Sequence, residues 1–112
     1  MTGPGIRETA REFAEMPPLD TVLGVLRDYQ PRARAIGVDF VGVVGSVARG
    51  EARPGSDVDL VYEPHREGYL WALAGLADEI GQTLGSRIDL IDREMMKPEL
   101  WAWISRDLVT LE

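Results

Sequence analysis

At 112 residues, with no cysteine and a formal net charge of −7, the chain reads as one small acidic domain. This composition excludes disulfides and cysteine-held metals, and it argues against broad nucleic-acid binding, which needs clustered cations. No apolar run approaches transmembrane length and Met1-Thr-Gly-Pro-Gly lacks the apolar stretch of a signal peptide, so a cytoplasmic protein off the membrane is expected.

In chain order, residues 1–18 read as an N-terminal extension. Ile6 to Glu15 can form a short helix with Ile6, Ala10 and Phe13 on one side, and Pro17-Pro18 ends it. The folded domain is expected over residues 19–112. Asp20 is an N-cap candidate for a helix to about Tyr29, with Leu19, Val22, Leu23, Val25 and Leu26 as its apolar face. Pro31 is expected to break or restart it, and Gly37 to close the segment. Arg27, Arg32 and Arg34 form a basic cluster there, read either as a solvated helix end or as a contact for phosphate or an acidic partner.

Val38 to Val44 is a first strand, Val58 to Tyr62 a second and Arg87 to Ile91 a third. Between the last two, a helix is expected from about Glu67 to Gln82, its buried stripe being Tyr69, Leu70, Leu73, Leu76, Ala77 and Ile80. Gly81 and Gly85 are expected to help end it. Pro98 suits the first position of a final helix, with Leu100, Trp101, Ile104 and Leu108 as its apolar face. The sum is a mixed α/β (α+β) domain, a small sheet with helices packed against it.

The chemistry concentrates between Gly45 and Leu60. A Gly45-Ser46 pair ends the first strand, and ten residues separate it from Asp57-Val58-Asp59, which opens the second. Alternation along a strand turns Asp57 and Asp59 to the same face, their Cα atoms roughly 6.5–7 Å apart. Two carboxylates so spaced can both reach a pair of divalent ions about 3.5–4 Å apart. Gly45 lets backbone approach a phosphate, and the strand-to-helix junction offers free N–H groups to an anion. Ser46 adds a hydroxyl and is a capping candidate for a short turn over Val47 to Arg49, which Gly50 would stop in a left-handed conformation. Arg53 to Ser56 reads as the loop into the second strand. A third acid is expected from Asp89, whose parity faces the Asp57/Asp59 side; Asp92 has the opposite parity and is the weaker candidate. Two paired acids beside a phosphate-binding turn point to nucleotidyl transfer.

These residues resemble the nucleotidyltransferase superfamily, whose signature is Gly-Ser, ten residues, Asp-x-Asp and a later Asp. The fuller string Gly45-Ser-Val-Ala-Arg49-Gly50 with Ser56-Asp57-Val-Asp59-Leu60 resembles its minimal, single-domain MNT branch, found as the antitoxin of HEPN/MNT pairs. The resemblance covers roughly Leu19 to Leu111. It implies that the sheet is mixed, with helices packed on one side. It implies that Gly45 and Ser46, with Arg49 and Ser56 nearby, bind the triphosphate of ATP. It implies that Asp57 and Asp59 hold magnesium, and that Asp89 completes the ion that activates the acceptor hydroxyl. It also implies a HEPN toxin as partner, with AMP added to a tyrosine. Larger relatives carry a second domain that selects the acceptor, whereas a minimal one takes its acceptor from a partner molecule.

Two other readings stand beside this one: a non-catalytic module that neutralises a toxin by covering it, and a nucleotidyltransferase acting on a small molecule or an RNA end. The complete acid set weighs against the first. The missing second domain and the acidic surface weigh against the second. His65, the only histidine, sits in a polar loop and is expected to be exposed. No arginine precedes it at the spacing of the HEPN ribonuclease motif, so the chain is not the toxin partner. Trp101 and Trp103 lie on different faces of one short helix. One is expected in the core and one at the helix edge, or else Trp103, with Trp71, anchors a protein interface. For Arg49 and Arg53, a salt bridge to Glu51 or Asp57 competes with phosphate contact. Oligomeric state and nucleotide identity are not legible.

Overall fold

A computed structural model describes residues 17–112; the expected helix over Ile6 to Glu15 lies outside the described residues. The elements run α1 (Leu19–Ile36), β1 (Val38–Val44), α2 (Gly45–Arg49), β2 (Val58–Pro64), α3 (Leu70–Leu84), β3 (Ile88–Asp92), a 3-10 turn (Arg93–Met95), α4 (Pro98–Ile104), a second 3-10 turn (Ser105–Asp107) and β4 (Val109–Thr110). The four strands form one mixed sheet in the order β3-β2-β1-β4. β1 is antiparallel to β2 and to β4, while β2 and β3 are parallel, with α3 as the crossover.

Alternation fixes which face is core. Val58, Leu60 and Tyr62 of β2, with Val38, Phe40 and Val43 of β1, meet Val22 and Leu26 of α1 and Leu73, Leu76 and Ile80 of α3. Burying side chains of this size contributes about 1.5–3 kcal/mol each. The odd-numbered residues of β2 and β3, among them Asp59 and Asp89, therefore face away from α1 and α3, towards α4. Among the described residues no helix is long and apolar enough to cross a membrane.

Several local expectations are corrected. α1 runs through Pro31 to Ile36. The missing N–H forfeits one helical bond, but buried Ala33 and Gln30 hold the last turns in place. The Gln30 amide donates to Phe40 O (2.9 Å) and accepts from Phe40 N (2.8 Å), tying the helix to β1 beside its bulge. Gly37 then closes the helix in a left-handed conformation. Pro18, not Asp20, occupies the N-cap position, leaving Asp20 in the first turn where the helix dipole favours it. α3 begins only at Leu70, because Gly68 has φ +81° and cannot join a helix; Leu70 is consequently exposed rather than part of the stripe. Gly81 lies inside α3, and its carbonyl receives the closing N–H of Gly85.

At the C-terminus, α4 stops at Ile104 and Leu108 lies beyond it. Trp101 is half-buried under the Arg93 guanidinium, 4.1 Å from the ring centroid, so neither Trp101 nor Trp103 enters the core. β4 was not expected. Its two residues carry no periodicity, and it forms because Gly42 lets it approach β1. A Cβ at Gly42 would overlap the Val109 carbonyl. The arginines of α1 are paired within the domain: Arg32 with Glu79 (2.5 Å), Arg34 with Asp39 (2.6 Å) and Arg27 with the Leu111 carbonyl. His65 is exposed, as expected.

Gly42→Ala should therefore lose roughly 1–3 kcal/mol in urea unfolding, since the added methyl collides with backbone that cannot yield. Gly24→Ala, in α1 with open space around it, should instead gain about 0.5–1 kcal/mol.

Candidate active site

The site is built where β1 ends and β2 begins. Val44 pairs with Asp59 across these strands, and Asp59 pairs in register with Asp89 of β3. Gly45 turns the chain out of β1 at φ +80°, a conformation that suits glycine. A Cβ there would overlap Asp59 Oδ2. The glycine is thus needed twice, for its backbone angle and for the carboxylate packed against it. Ser46 is the second residue of α2, so it does not cap that helix; Val44 holds the N-cap position with extended backbone. Gly50 ends α2 at φ +73°, as expected.

Asp59 is half-buried, and its carboxyl is pushed up to about 6, first by desolvation and then by the negative charges of Asp89 and Asp57, with Arg49 acting in the opposite sense. Asp89 is exposed and within hydrogen-bonding reach of Asp59. Asp57 is turned aside, its Oδ2 taking a bond from Arg87 Nη2 at 3.0 Å. The Arg87 side chain is 82% exposed, so this is a solvated surface pair with little hold. Asp92 lies opposite Tyr62 on the core side, accepting from Tyr69 Oη (3.1 Å) and from Glu94 N (2.8 Å). Its bonds lie within the fold, and its opposite parity turns it away from Asp59 and Asp89.

Ser56 shapes the loop: its Oγ accepts from Arg53 N (3.0 Å), and its own N–H donates to Arg53 O (2.9 Å). Arg49 is held by Glu51 through Nε and by Asp107 through Nη1, both at 2.9 Å. A cavity of about 250 Å³ opens beside Asp59 and Gly45, lined by Val44, Arg49 and Ile91 and closed by Trp103, Ile104 and Asp107. Motif reading gave Asp107 and Ile104 no part here. Nothing local marks them, because they arrive through the fold of the last fifteen residues.

The donor set fits a divalent cation. Asp59 and Asp89 are hard oxygen ligands whose mutual repulsion already raises Asp59, and a bound cation would relieve it. As they stand, no three acidic or histidine side chains among the described residues are gathered closely enough to hold an ion. Asp57 would have to leave Arg87 to join the other two.

A four-strand mixed sheet with a Gly-Ser turn abutting an acidic strand is the architecture of a nucleotidyltransferase. The nucleotidyltransferase domain family matches residues 19–107, and the chain belongs to that family as an MntA-like minimal member. It is 30% identical over 92 residues to a protein adenylyltransferase MntA of Thermococcus cleftensis, across 81% of this chain and 93% of that protein. A solved structure of a candidate minimal nucleotidyltransferase matches with TM-score 0.70 and 30% identity, over 83% of this chain and 95% of that one. Two more distant structures share the fold. One is a toxin–antitoxin with AMP-PNP (TM-score 0.60, 22% identity, 83% of this chain and 71% of that one). The other is a tri-AMPylated Shewanella oneidensis HEPN toxin in complex with an MNT antitoxin (TM-score 0.53, 19% identity, 83% of this chain and 67% of that one).

The raised Asp59 carboxyl has a sign that can be checked. Folded and unfolded chains ionise it near 6 and 3.8 respectively, so between these values the folded state binds more protons and stability falls as pH rises. Above about 6 the cost is complete. In EDTA, Asp59→Asn should melt roughly 2–5 °C above wild type at pH 7.5, and the gap should close towards pH 4. Added magnesium should raise the melting temperature of wild type and not of the variant.

Proposed function

We propose that this chain is a magnesium-dependent protein adenylyltransferase that moves AMP from ATP to a tyrosine hydroxyl of a cognate HEPN toxin, and so acts as its antitoxin. The observation that carries the reading is the packing of Asp59 against Gly45, with Asp89 in register alongside. This brings the Gly-Ser turn and a carboxylate pair together at one end of the sheet. The family membership and the MntA relative support the transferase class. The catalytic unit in this reading is residues 19–112, preceded by the extension over 1–18, working in the cytoplasm where ATP and magnesium are at hand.

Each role follows from position. Gly45 and Ser46 offer backbone N–H and hydroxyl donors to the triphosphate. Arg49 and the Ser56 loop flank it. Asp57 and Asp59 would hold the ions, and Asp89 would complete the set nearest the acceptor. Magnesium, when bound, supplies a lowered pKa for the acceptor hydroxyl and offsets charge on the triphosphate. The acceptor oxygen gives up its proton and bonds to the α-phosphorus; the bond to the β-phosphate breaks, and pyrophosphate leaves. Asp89 is exposed on the sheet face opposite α1 and α3, and there an acceptor hydroxyl of another protein would approach.

Incubation with α-labelled ATP, magnesium and lysate from the source cell tests the reading. Wild type should label one protein band, and Asp57→Asn or Asp59→Asn should reduce labelling by about a hundredfold or more while leaving the fold intact. Full labelling by either variant would overturn the two-carboxylate assignment. Partner neutralisation that persists in the triple variant lacking Asp57, Asp59 and Asp89 would support the non-catalytic module instead. A labelled RNA or small molecule would redirect the acceptor.

A further inference from the structure

Arg49 is a cation beside the proposed phosphate site, and its grip is set by the tertiary fold. Its guanidinium is anchored at two separate nitrogens: Nε by Glu51, two residues along the chain, and Nη1 by Asp107, 58 residues away. An arginine has five N–H donors in one plane; Glu51 and Asp107 each take one, which favours one orientation of that plane and leaves three donors for a ligand. Arg49 also lines the cavity that holds Gly45 and Asp59, and its charge is felt at Asp59. Asp107 shares that cavity, on the 3-10 turn that follows α4.

We propose that Asp107 is a positioning residue for the reaction: it holds the Arg49 guanidinium in the plane from which its free N–H groups reach the triphosphate. The proposal rests on the nucleotidyl-transfer reading above. Glu51 alone cannot do this, because a single bond at Nε leaves the plane free to turn about the side chain. Asp107 supplies the second point, and it also ties the C-terminal turn to α2, the helix that begins with the Gly-Ser pair. Its local sequence, Ser105-Arg106-Asp107, marks it as nothing more than a surface turn.

Steady-state kinetics of labelled transfer, with ATP varied at fixed acceptor, test this in a double-mutant cycle of Arg49→Ala and Asp107→Ala. Arg49→Ala should raise the KM for ATP by about tenfold or more, the loss of a charge-assisted contact. Asp107→Ala should raise it about threefold to tenfold with a smaller change in kcat, and Asp107→Asn, which keeps an acceptor oxygen, should recover part of the loss. In the Arg49→Ala background, Asp107→Ala should add nothing. Additive effects, an unchanged KM in Asp107→Ala, or an unchanged KM in Arg49→Ala would each overturn the proposal. Absence of transfer by wild type would instead refute the transferase reading on which it rests. Thermal melting of each variant separates loss of fold from loss of positioning, and Asp107→Asn keeps the test open should Asp107→Ala unfold.

Discussion

One contact organises this protein: a carboxylate of β2 lies against a glycine at the end of β1, where a side chain would overlap it. The strand pairing of Val44 with Asp59 brings the two together, and the left-handed turn at Gly45 lets the chain leave at once into α2. A larger residue at position 45 would have to move Asp59, and moving Asp59 would part the acids from the Gly-Ser turn. The connection over residues 50–57, between α2 and β2, leaves and returns to elements that the β1–β2 ladder holds together.

That arrangement costs stability. Asp59 is half out of water and next to other acids, so its charged form is disfavoured and its carboxyl rises to about 6. The core on the far side of the sheet, where Leu60 and Val58 meet α1 and α3, has to carry this load. The same strand therefore faces two ways: Val58, Leu60 and Tyr62 pack into the main core, and Asp59 turns to the opposite face beside Asp89. Asp57 avoids part of the conflict by turning to Arg87, a weak and exposed pair that a cation could replace.

The C-terminal segment closes the picture. α4 buries none of its residues in the main core, and Trp103 remains 68% exposed. Read as core elements, these residues look poorly used. Read as a wall, they make sense: Trp103, Ile104 and Asp107 line the open face beside Asp59, and Asp107 clasps Arg49. A second exposed tryptophan, Trp71 at 91%, begins α3 near the opposite end of β2, away from the acids.

The sequence by itself determined three of the four strands and the faces on which Asp59, Asp89 and Asp92 lie. Strand alternation separated Asp89 from Asp92, and Gly50 and Gly37 marked where helices end, because these signals are local and need no partner to be read. The Gly-Ser and Asp-x-Asp spacing was legible for the same reason. What tertiary structure decided was everything set by distant contacts. Pro31 stays inside α1 because the Gln30 amide and buried Ala33 hold the turns after it. β4 exists only because Gly42 admits it, and two residues have no periodicity to read. Asp107 reaches Arg49 only because the last strand and turn bring it back across the sheet. Local pattern fixes where a side chain points relative to its neighbours; which distant group it meets is settled by packing the whole chain.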